Sequence, residues 1–307
     1  MIYTLTANPA LDMVERCHGL MANAVNRTYD ASYNPNGKGL NVSYTLKHYG
    51  VDSVIMGFFG GFTGDFIVNG AQQRGCRVRP VYVDGITRVN VSINDGTNEY
   101  HFPNEGCVVP RDRQMQLLNL IDDIDDLECL VISGSLPPQV APRFYDEVID
   151  RVKAKGADFV LDISIPMLAD LVRKHPLLIK PNDDELAAIF GVDVSSEAAM
   201  GHALMDICDM GAQNVLLTLG GDGALFCDGV HLWKATSPKV KVLSTVCAGD
   251  ATLGAFLSLW GRDRGAVEPA LRRAMATGAN VAMSAGLGDF AAVDELASLV
   301  EVHEVEL

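Results

Sequence analysis

The run Val246–Phe256 contains the residues with the most evident chemistry, because Ala248-Gly249-Asp250 precedes an apolar helical pattern. Backbone N–H groups in the first turn of a helix lack partners within the helix and can bind an anion. A carboxylate beside them can accept a proton. The pattern predicts phosphoryl transfer to an alcohol, in which Ala248 and Gly249 stabilise the moving group and Asp250 is the base. A helix-capping role for Asp250 is the alternative.

Two loops near the start of the chain could supply the rest of such a site. Asp12 ends the segment Asn8–Asp12, which follows an apolar strand over Met1–Leu5. Ligands of open α/β sheets bind beyond the carboxyl ends of the strands, so Asp12 is a candidate ligand. The turn Asn36-Gly37-Lys38-Gly39 leads into a helix; its glycines let the backbone approach a ligand and Lys38 adds positive charge. An ordinary turn is the alternative for both loops.

Together and in this order, the three segments resemble those of the ribokinase-like carbohydrate kinases, also called the PfkB family. The runs Thr4–Asp12, Thr87–Val91 and Ser133–Pro138 are similar to the branch that contains 1-phosphofructokinase and tagatose-6-phosphate kinase. The joint occurrence of the segments is far more specific than any one of them. The resemblance extends from the first strand to about residue 290.

The resemblance implies a binding site for a phosphosugar. Asp12 would accept hydrogen bonds from sugar hydroxyls, a task that suits a carboxylate. Arg88 and Lys38 would bind the phosphate that the sugar already carries, since an arginine fork matches phosphate oxygens. From the residues alone, a solvated charge on a strand is the alternative for Arg88. The substrate-binding residues implied are Asp12, Gly37, Lys38, Asn41, Arg88 and Asn90.

The same resemblance implies a site for ATP and Mg²⁺. Asn182 and Glu185 match an N-x-x-E element that orders water around Mg²⁺, a cation that prefers oxygen ligands and retains water. The strand and glycine turn at Thr218–Ala224 would contact the donor phosphates and ribose; a simple turn is the alternative. Asn280 would lie near the adenine. The nucleotide-binding residues implied are Lys180, Asn182, Glu185, Thr218, Gly220, Gly221, Gly223 and Asn280.

Two positions depart from the family pattern. Cys247 stands where the family usually has the first glycine of G-A-G-D, and Asn36 stands at the first glycine position of G-G-K-G. We expect Asn36 to keep a left-handed backbone, which asparagine tolerates. A cysteine with positive φ costs about 1–2 kcal/mol and could crowd the phosphoryl site. At a helix N-terminus, the Cys247 thiol is expected to have a lowered pKa and to be readily alkylated.

Apolar β-rich runs alternate with helical patterns, which is typical of a doubly wound, mostly parallel α/β sheet flanked by helices. Asn94-Asp95-Gly96 is a strong hairpin signal within a stretch that interrupts this rhythm. By resemblance, two such stretches form a small β-sheet lid at about 12–35 and 87–104 within one domain over residues 1–307; an antiparallel edge of the main sheet is the alternative. The predicted strands include Ser53–Phe59, Cys129–Ser133, Phe159–Ile163, Leu177–Lys180 and Val215–Leu219, and the predicted helices Gly64–Arg74, Arg143–Lys155, Asp184–Phe190, Ala198–Met210 and Ala266–Ala285.

A lid of this kind excludes water from the reacting groups and often exposes an apolar back, so we expect a homodimer formed through the lid. The acidic tail from Asp289 is expected to form a last helix and a frayed end. No P-loop motif G-x-x-x-x-G-K-[ST] occurs, which argues against a P-loop kinase.

The composition restricts the partners. A formal net charge of −15 argues against nucleic acid and anionic membranes, although local cations can still hold a small anion. The seven cysteines are scattered without C-x-x-C, which favours reduced thiols in the cytoplasm, and the histidines show no metal-binding spacing. No apolar run is long enough to span a membrane.

These observations predict an ATP- and Mg²⁺-dependent phosphohexose kinase. The first candidate for its acceptor is the 6-hydroxyl of fructose 1-phosphate. One alternative is tagatose 6-phosphate, phosphorylated at its 1-hydroxyl. Another is a sugar-phosphate-binding regulator that has lost efficient catalysis, for which the departure at Cys247 argues.

Overall fold

The structure is a computed structural model that describes residues 1–306. Within these residues, fourteen strands form two separate sheets, one of ten strands and one of four. The strands are β1 (Ile2–Thr6), β2 (Ala10–Cys17), β3 (Thr28–Asn36), β4 (Ser53–Gly60), β5 (Arg77–Val83), β6 (Val89–Asn94), β7 (Glu99–Phe102), β8 (Cys129–Ser133), β9 (Asp158–Asp162), β10 (Leu178–Ile179), β11 (Val215–Thr218), β12 (Ala224–Cys227), β13 (Leu232–Ala235) and β14 (Val302–Val305).

The large sheet has the order β14-β13-β12-β11-β10-β9-β8-β1-β4-β5. Its strands pair in parallel from β5 to β11 and antiparallel from β11 to β14. The helices are α1 (Lys38–His48), α2 (Gly61–Gln73), α3 (Arg111–Asp122), α4 (Arg143–Ala154), α5 (Leu168–Leu171), α6 (Asp183–Phe190), α7 (Glu197–Met210), α8 (Ala248–Trp260), α9 (Val267–Ala282) and α10 (Val293–Ala297).

Each face of the large sheet has its own hydrophobic core, because successive side chains of a strand point to opposite faces. In β8, Leu130 and Ile132 pack on the side that carries α3, α4 and α7, whereas Val131 packs on the side of α8 and α9. A strand buried on both faces has no polar alternation, which is why the apolar runs predicted as strands are recovered here. The predicted doubly wound α/β fold is confirmed.

The small sheet has the order β3-β2-β6-β7 and is separate from the large one. The two predicted excursions therefore form a second small sheet, called the lid below, and the alternative of an antiparallel edge on the main sheet is wrong. The predicted hairpin is also confirmed: β6 and β7 are antiparallel, and Asp95 Oδ1 accepts hydrogen bonds from the backbone N–H groups of Thr97 and Asn98. Such side-chain acceptors favour aspartate in turns.

The tail differs from its prediction in one respect. The expected last helix is present as α10, but the following residues pair as β14 with β13 instead of fraying. Leu307 lies outside the described residues. Sequence alone did not indicate this strand, because Val302–Val305 is short and becomes a strand only where β13 offers an unpaired edge. Within residues 1–306, no helix is both long and apolar enough to cross a bilayer.

A close contact between α1 and α8 positions the site. A Cβ atom at Gly254 in α8 would lie 2.7 Å from Cβ of Thr45 and 2.9 Å from the carbonyl oxygen of Val42, both in α1. Only glycine permits this approach. The contact brings the first turns of the two helices together, and with them Asn41 and Asp250.

Candidate active site

A cleft of about 740 Å³ lies beyond the carboxyl ends of the parallel strands and extends to the lid. Open α/β sheets bind ligands at this edge. Of the residues predicted to form the site, all but Asp12, Asn41 and Asn280 line the cleft. The predicted residues that line it are Gly37, Lys38, Arg88, Asn90, Lys180, Asn182, Glu185, Thr218, Gly220, Gly221, Gly223, Ala248, Gly249 and Asp250.

Asp250 lies in the first turn of α8 and is only 7% exposed. Its carboxylate accepts a hydrogen bond from Asn41 Nδ2 at 2.8 Å. Burial raises the pKa of the Asp250 carboxyl to about 6, the charge of Asp162 adds to this, and Lys38 opposes it. The N-cap position of α8 belongs to Cys247, so the alternative in which Asp250 caps the helix has no support in the structure.

Asp162, at the end of β9, is a residue that sequence reasoning missed. Its fully buried carboxylate pairs with Lys180 at 3.1 Å and with Lys38 at 3.4 Å. Burial works to raise the pKa of Asp162, but Lys180 and Lys38 together outweigh it and hold that pKa below its usual value. Conversely, Asp162 raises the pKa of Lys38, and Asp250 adds to this effect. An acid at the carboxyl end of an apolar strand was the available signal.

Both lysines lie close enough to Asp250 to act on its charge. A Cβ atom built on Gly249 would lie 3.6 Å from Lys180 Nζ, so this cation sits at the N-terminus of α8. Positive charge and free backbone N–H groups at one place favour binding of an anion.

A second, smaller cavity of about 200 Å³ adjoins the cleft, and Lys38 and Arg88 line both. Its other polar groups are mostly hydroxyls, and those of Thr6 and Ser133 are buried without a hydrogen-bond partner among the described residues. A buried hydroxyl normally has a partner, so these two can bind a ligand. The remaining lining residues are Asn8, Gly134, Ser135, Ser164 and Ile165.

Arg88 is fixed by the backbone around it. Three of its nitrogen atoms donate to carbonyl oxygens, those of Asn8 at 2.9 Å, Asn104 at 3.1 Å and Pro9 at 3.4 Å. Burial lowers the pKa of Arg88 from its usual value. A guanidinium has five N–H groups, so two remain for a ligand. The alternative of a solvated strand charge is therefore wrong for Arg88.

A chain of side-chain hydrogen bonds links Asp12 to Asp250. Asp12 accepts from Asn90 Nδ2 at 2.9 Å and from Asn36 Nδ2. The Asn36 carbonyl oxygen in turn accepts from Asn41 Nδ2 at 2.7 Å, and Asn41 also donates to Asp250. Asp12 and Asn41, which do not line the cleft, thus contact residues that do.

Asn36 corrects one expectation. It ends β3 with a negative φ, and the left-handed position is the next residue, Gly37, with φ 153°. A Cβ atom at Gly37 would lie 2.6 Å from the Thr6 side chain, which explains why glycine is required there. Asn36 acts through its side chain instead, as the acceptor for the backbone N–H of Gly37 at 2.6 Å.

Cys247 has the expected positive φ, 67°, but the pKa of its thiol differs from the expectation. Burial raises the pKa of the Cys247 thiol, and the carboxylates of Asp250 and Asp12 add to this rise. Its sulfur accepts a hydrogen bond from Asn41 Nδ2 at 3.2 Å. The expected lowering of the thiol pKa is therefore wrong, because burial and neighbouring negative charge outweigh the helix dipole.

At the other end of the cleft, Asn182 and Glu185 form a reciprocal capping box at the start of α6. Asn182 Oδ1 accepts from the Glu185 backbone at 2.7 Å, and Glu185 Oε2 accepts from the Asn182 backbone at 3.1 Å. This arrangement fixes both side chains. Glu185 retains lone pairs that can accept from bound water.

The turn after β11 contains glycines with free space beside them and one glycine that is closely packed. A Cβ atom at Gly220 or Gly221 would have nothing within 4 Å, whereas one at Gly223 would lie 1.9 Å from the carbonyl oxygen of Ala235. The first two therefore leave space for a ligand, and the third permits the turn. Sequence reasoning missed the residues that complete this end of the cleft, which are Asp183, Ser237, Pro238, Lys239, Val240, Val242, Thr245, Val246, Thr252, Met275, Gly278, Ala279 and Ala282.

Asn280 does not line the cleft, contrary to its predicted position near an adenine. Its side chain is buried, and Oδ1 accepts a hydrogen bond from the backbone of Ala292 at 3.0 Å, where α10 begins. Other residues of α9, Met275, Ala279 and Ala282, face the cleft instead. The helix was predicted correctly, but the rotation that selects its exposed face depends on packing.

Comparisons with known proteins agree in family. A model described as pfkB family carbohydrate kinase matches residues 5–292. The chain is 45% identical to the D-tagatose-1-phosphate kinase of Klebsiella oxytoca, over 99% of this chain and 100% of that protein. It is 32% identical to the 1-phosphofructokinase of Bacillus subtilis, over 98% of this chain and 99% of that protein. Phosphofructokinase-2 from Escherichia coli, solved with substrates and products, has a TM-score of 0.91 and 27% identity, over 97% and 98%.

The raised pKa of Asp250 predicts a specific pH dependence of stability. A carboxyl whose folded pKa is about 6 favours folding when protonated, and this contribution is lost as pH rises through 6. The Asp250→Asn variant has no carboxyl to ionise, so it should not lose this contribution. The unfolding free energy of the variant minus that of the wild type should therefore increase by about 1–3 kcal/mol between pH 4.5 and pH 7.5.

Urea unfolding at a series of pH values measures this gain. Asp184→Asn, at an exposed position in the same cleft region, supplies the reference slope. A difference between Asp250→Asn and the wild type that does not change with pH would contradict a buried carboxyl with a raised pKa at Asp250.

Proposed function

The chain belongs to the PfkB family of carbohydrate kinases and is a sugar-phosphate kinase, and we propose that it transfers the γ-phosphoryl group of ATP to the 6-hydroxyl of a ketohexose 1-phosphate. The observation that carries the proposal is the position of Asp250. This buried base lies between a helix N-terminus with two lysines and a separate basic cavity. The cleft at the helix N-terminus suits the phosphoryl group to be transferred, and the smaller cavity suits the phosphate that the sugar already carries.

The acceptor is either fructose 1-phosphate, as predicted, or D-tagatose 1-phosphate, and these two sugars differ only in configuration at carbon 4. The higher identity to the relative named D-tagatose-1-phosphate kinase makes D-tagatose 1-phosphate the first acceptor to test. Tagatose 6-phosphate, the alternative predicted from the sequence, has less support, because the relatives named D-tagatose-1-phosphate kinase and 1-phosphofructokinase take their names from sugars with the phosphate at carbon 1.

In the proposed mechanism, Asp250 accepts the proton of the attacking hydroxyl. With a pKa of about 6, this carboxyl is mostly ionised at pH 7 yet basic enough to take a proton. Asn41 holds the carboxylate in one orientation by its hydrogen bond. The backbone N–H groups of Ala248 and Gly249, together with Lys180, stabilise negative charge on the transferred group.

ATP would occupy the end of the cleft formed by the glycine turn and α9. Gly220 and Gly221 leave room for the ribose and phosphates, and the apolar side chains of Met275 and Ala279 suit an adenine. Lys239 lies at the same end, where its Nζ donates to the carbonyl oxygen of Gly221 at 2.8 Å. The adenine contact predicted for Asn280 is thus proposed for Met275 and Ala279 instead.

The donor set fits Mg²⁺ held through water. Within residues 1–306, no cluster of three or more His, Cys, Asp or Glu side chains forms a metal site. Mg²⁺ commonly binds one or two carboxylates together with substrate phosphates and water, and it would neutralise phosphate charge here. Glu185 is a carboxylate on the cleft that retains lone pairs, and Asn182 orients it through the capping box.

The phosphate of the acceptor would bind in the smaller cavity. Lys38 and Arg88 supply positive charge, and Thr6 and Ser133 supply hydroxyls without other partners. Arg88 is immobilised by its three backbone contacts, so little conformational entropy is lost when it binds the phosphate.

We also propose that two copies associate through their lids. Strand β3 is exposed along nearly all its length, and Tyr33 (51%) and Phe102 (52%) present aromatic rings on the lid. An exposed apolar patch on a sheet with free edges favours association. The free thiols agree with a reducing compartment, which supports a cytoplasmic location.

The substrate class can be tested by coupled ADP release with Mg²⁺–ATP. We expect turnover of D-tagatose 1-phosphate and fructose 1-phosphate, weaker turnover of tagatose 6-phosphate and fructose 6-phosphate, and little with unphosphorylated ketohexoses. Asp250→Asn should lower kcat about 10²-fold or more while ATP still binds. Sugar-phosphate binding by the wild type without ADP release would instead favour a regulator on this scaffold.

Arg88→Ala should raise KM for the phosphosugar much more than KM for ATP. Charge-assisted hydrogen bonds to a partly buried phosphate contribute about 1.5–3 kcal/mol, which corresponds to about 10–150-fold. Arg88→Lys should recover only part of this loss, because an ammonium lacks the planar fork. Equal increases in both KM values would indicate that Arg88 only anchors its neighbouring loops.

Tyr33→Asp should shift the protein from dimer to monomer in analytical ultracentrifugation, because it places a charge in an apolar interface. Tyr82→Asp is the matched control, since Tyr82 is similarly exposed but lies on β5 of the large sheet. A dimer that survives Tyr33→Asp would exclude the lid as its interface.

A further inference from the structure

Asn36 and Cys247 are distant in sequence but adjacent in the structure. The Cys247 sulfur lies 3.8 Å from Asn36 Oδ1, and both side chains are bonded to Asn41 Nδ2, at 2.7 Å for Asn36 and 3.2 Å for Cys247. Both line the cleft between Asp12 and Asp250. The two residues therefore form one surface of the acceptor site.

The hydrogen bonds of Asn36 leave one group free. Its Oδ1 accepts from the Gly37 backbone, from Asn41 and from the Cys247 thiol, and one of its two Nδ2–H groups donates to Asp12. The second N–H has no hydrogen-bond partner among residues 1–306. Beside it, the Asp12 carboxylate retains acceptor capacity. A sugar hydroxyl at this point could accept a hydrogen bond from Asn36 and donate one to Asp12, so it would be satisfied both as an acceptor and as a donor.

The proposed function identifies which hydroxyl this is. With the 6-hydroxyl at Asp250 and the 1-phosphate in the smaller cavity, the ring hydroxyl nearest to carbon 6 is the one on carbon 4. Asn36 is joined to Asp250 through a single intervening amide, that of Asn41. The Asn36–Asp12 pair therefore lies next to Asp250, at the place where the 4-hydroxyl of the sugar would bind.

Resting on the proposed function, we propose that Asn36 and Cys247 determine the configuration at carbon 4 of the accepted sugar and select D-tagatose 1-phosphate over fructose 1-phosphate. Asn36 and Asp12 bind the 4-hydroxyl of the favoured epimer. Cys247 fills the space that a glycine would leave, and its sulfur is a poor partner for the inverted hydroxyl. A site built to hydrogen-bond a hydroxyl discriminates strongly against a ligand that leaves its groups unpaired.

The test compares kcat/KM for the two epimers in wild type and variants. We expect the wild type to prefer D-tagatose 1-phosphate. Asn36→Ala should lower kcat/KM for that epimer about tenfold and affect fructose 1-phosphate less, because one hydrogen bond is lost. Cys247→Gly should raise kcat/KM for fructose 1-phosphate about threefold to tenfold, because it opens the space occupied by the side chain.

Matched controls separate this role from general damage. Asn34→Ala lies on the same strand but is exposed and outside the cleft, and Cys107→Ala removes another half-buried cysteine outside the cleft. Neither should change the ratio of the two kcat/KM values. Cys247→Gly also removes a side chain from a position with positive φ, so this variant is expected to fold. Thermal melting and KM for ATP report on folding and on the donor site.

Two different failures are distinguishable. A wild type without turnover of any ketohexose phosphate contradicts the proposed function itself. A wild type that turns over both epimers with equal kcat/KM, or variants Asn36→Ala and Cys247→Gly whose epimer ratio stays within about twofold of the wild type, overturns the specificity role and leaves the kinase assignment intact.

Discussion

The burial of two carboxylates, Asp162 and Asp250, beside two lysines is the constraint on which the site depends. An isolated buried charge is very costly, so each carboxylate needs a partner that is already in place. Lys180 and Lys38 both pair with Asp162, whereas Asp250 relies on Asn41 and on the more distant positive charges. This unequal division keeps the pKa of Asp162 low and raises that of Asp250. Only one of the two carboxylates is therefore suited to take up a proton.

The packing of the helices makes this arrangement attainable. Asn41 reaches Asp250 because α1 and α8 approach closely at Gly254, and Lys180 reaches the start of α8 because β10 ends beside it. Each element alone would present an ordinary helix start or strand end. Electrostatic stabilisation requires groups that are oriented before the substrate binds, and the rigid contact between the two helices supplies that orientation.

The lid contributes differently, because its strands carry polar side chains towards the cleft and aromatic ones away from it. Asp12 and Asn90 of β2 and β6 bond to each other on the inner side, whereas Tyr33 of β3 is exposed. The small sheet shares no strand pairing with the large one. A lid that can close over the sugar would exclude water from the phosphoryl group, which could otherwise act as acceptor.

The two departures from the family pattern have a common structural explanation. Asn36 and Cys247 contact the same amide, that of Asn41, so a side chain at one position affects the surroundings of the other. Viewed as isolated positions, they suggested one tolerated backbone change and one strained cysteine. Their contact shows a shared polar surface, which the linear spacing of 211 residues conceals.

The sequence by itself determined the alternation of strands and helices and the glycine turns, because periodicity and turn chemistry are local properties. The lid and most residues of the cleft followed from the resemblance of several sequence motifs to those of the family. The tertiary structure decided what depends on contacts between distant segments. It placed Asp162 with Lys38 and Lys180, turned Asn280 away from the cleft, raised rather than lowered the pKa of the Cys247 thiol, and added β14 to the sheet edge. Burial and charge at a side chain are set by its neighbours in space, and a pattern along the chain does not specify them.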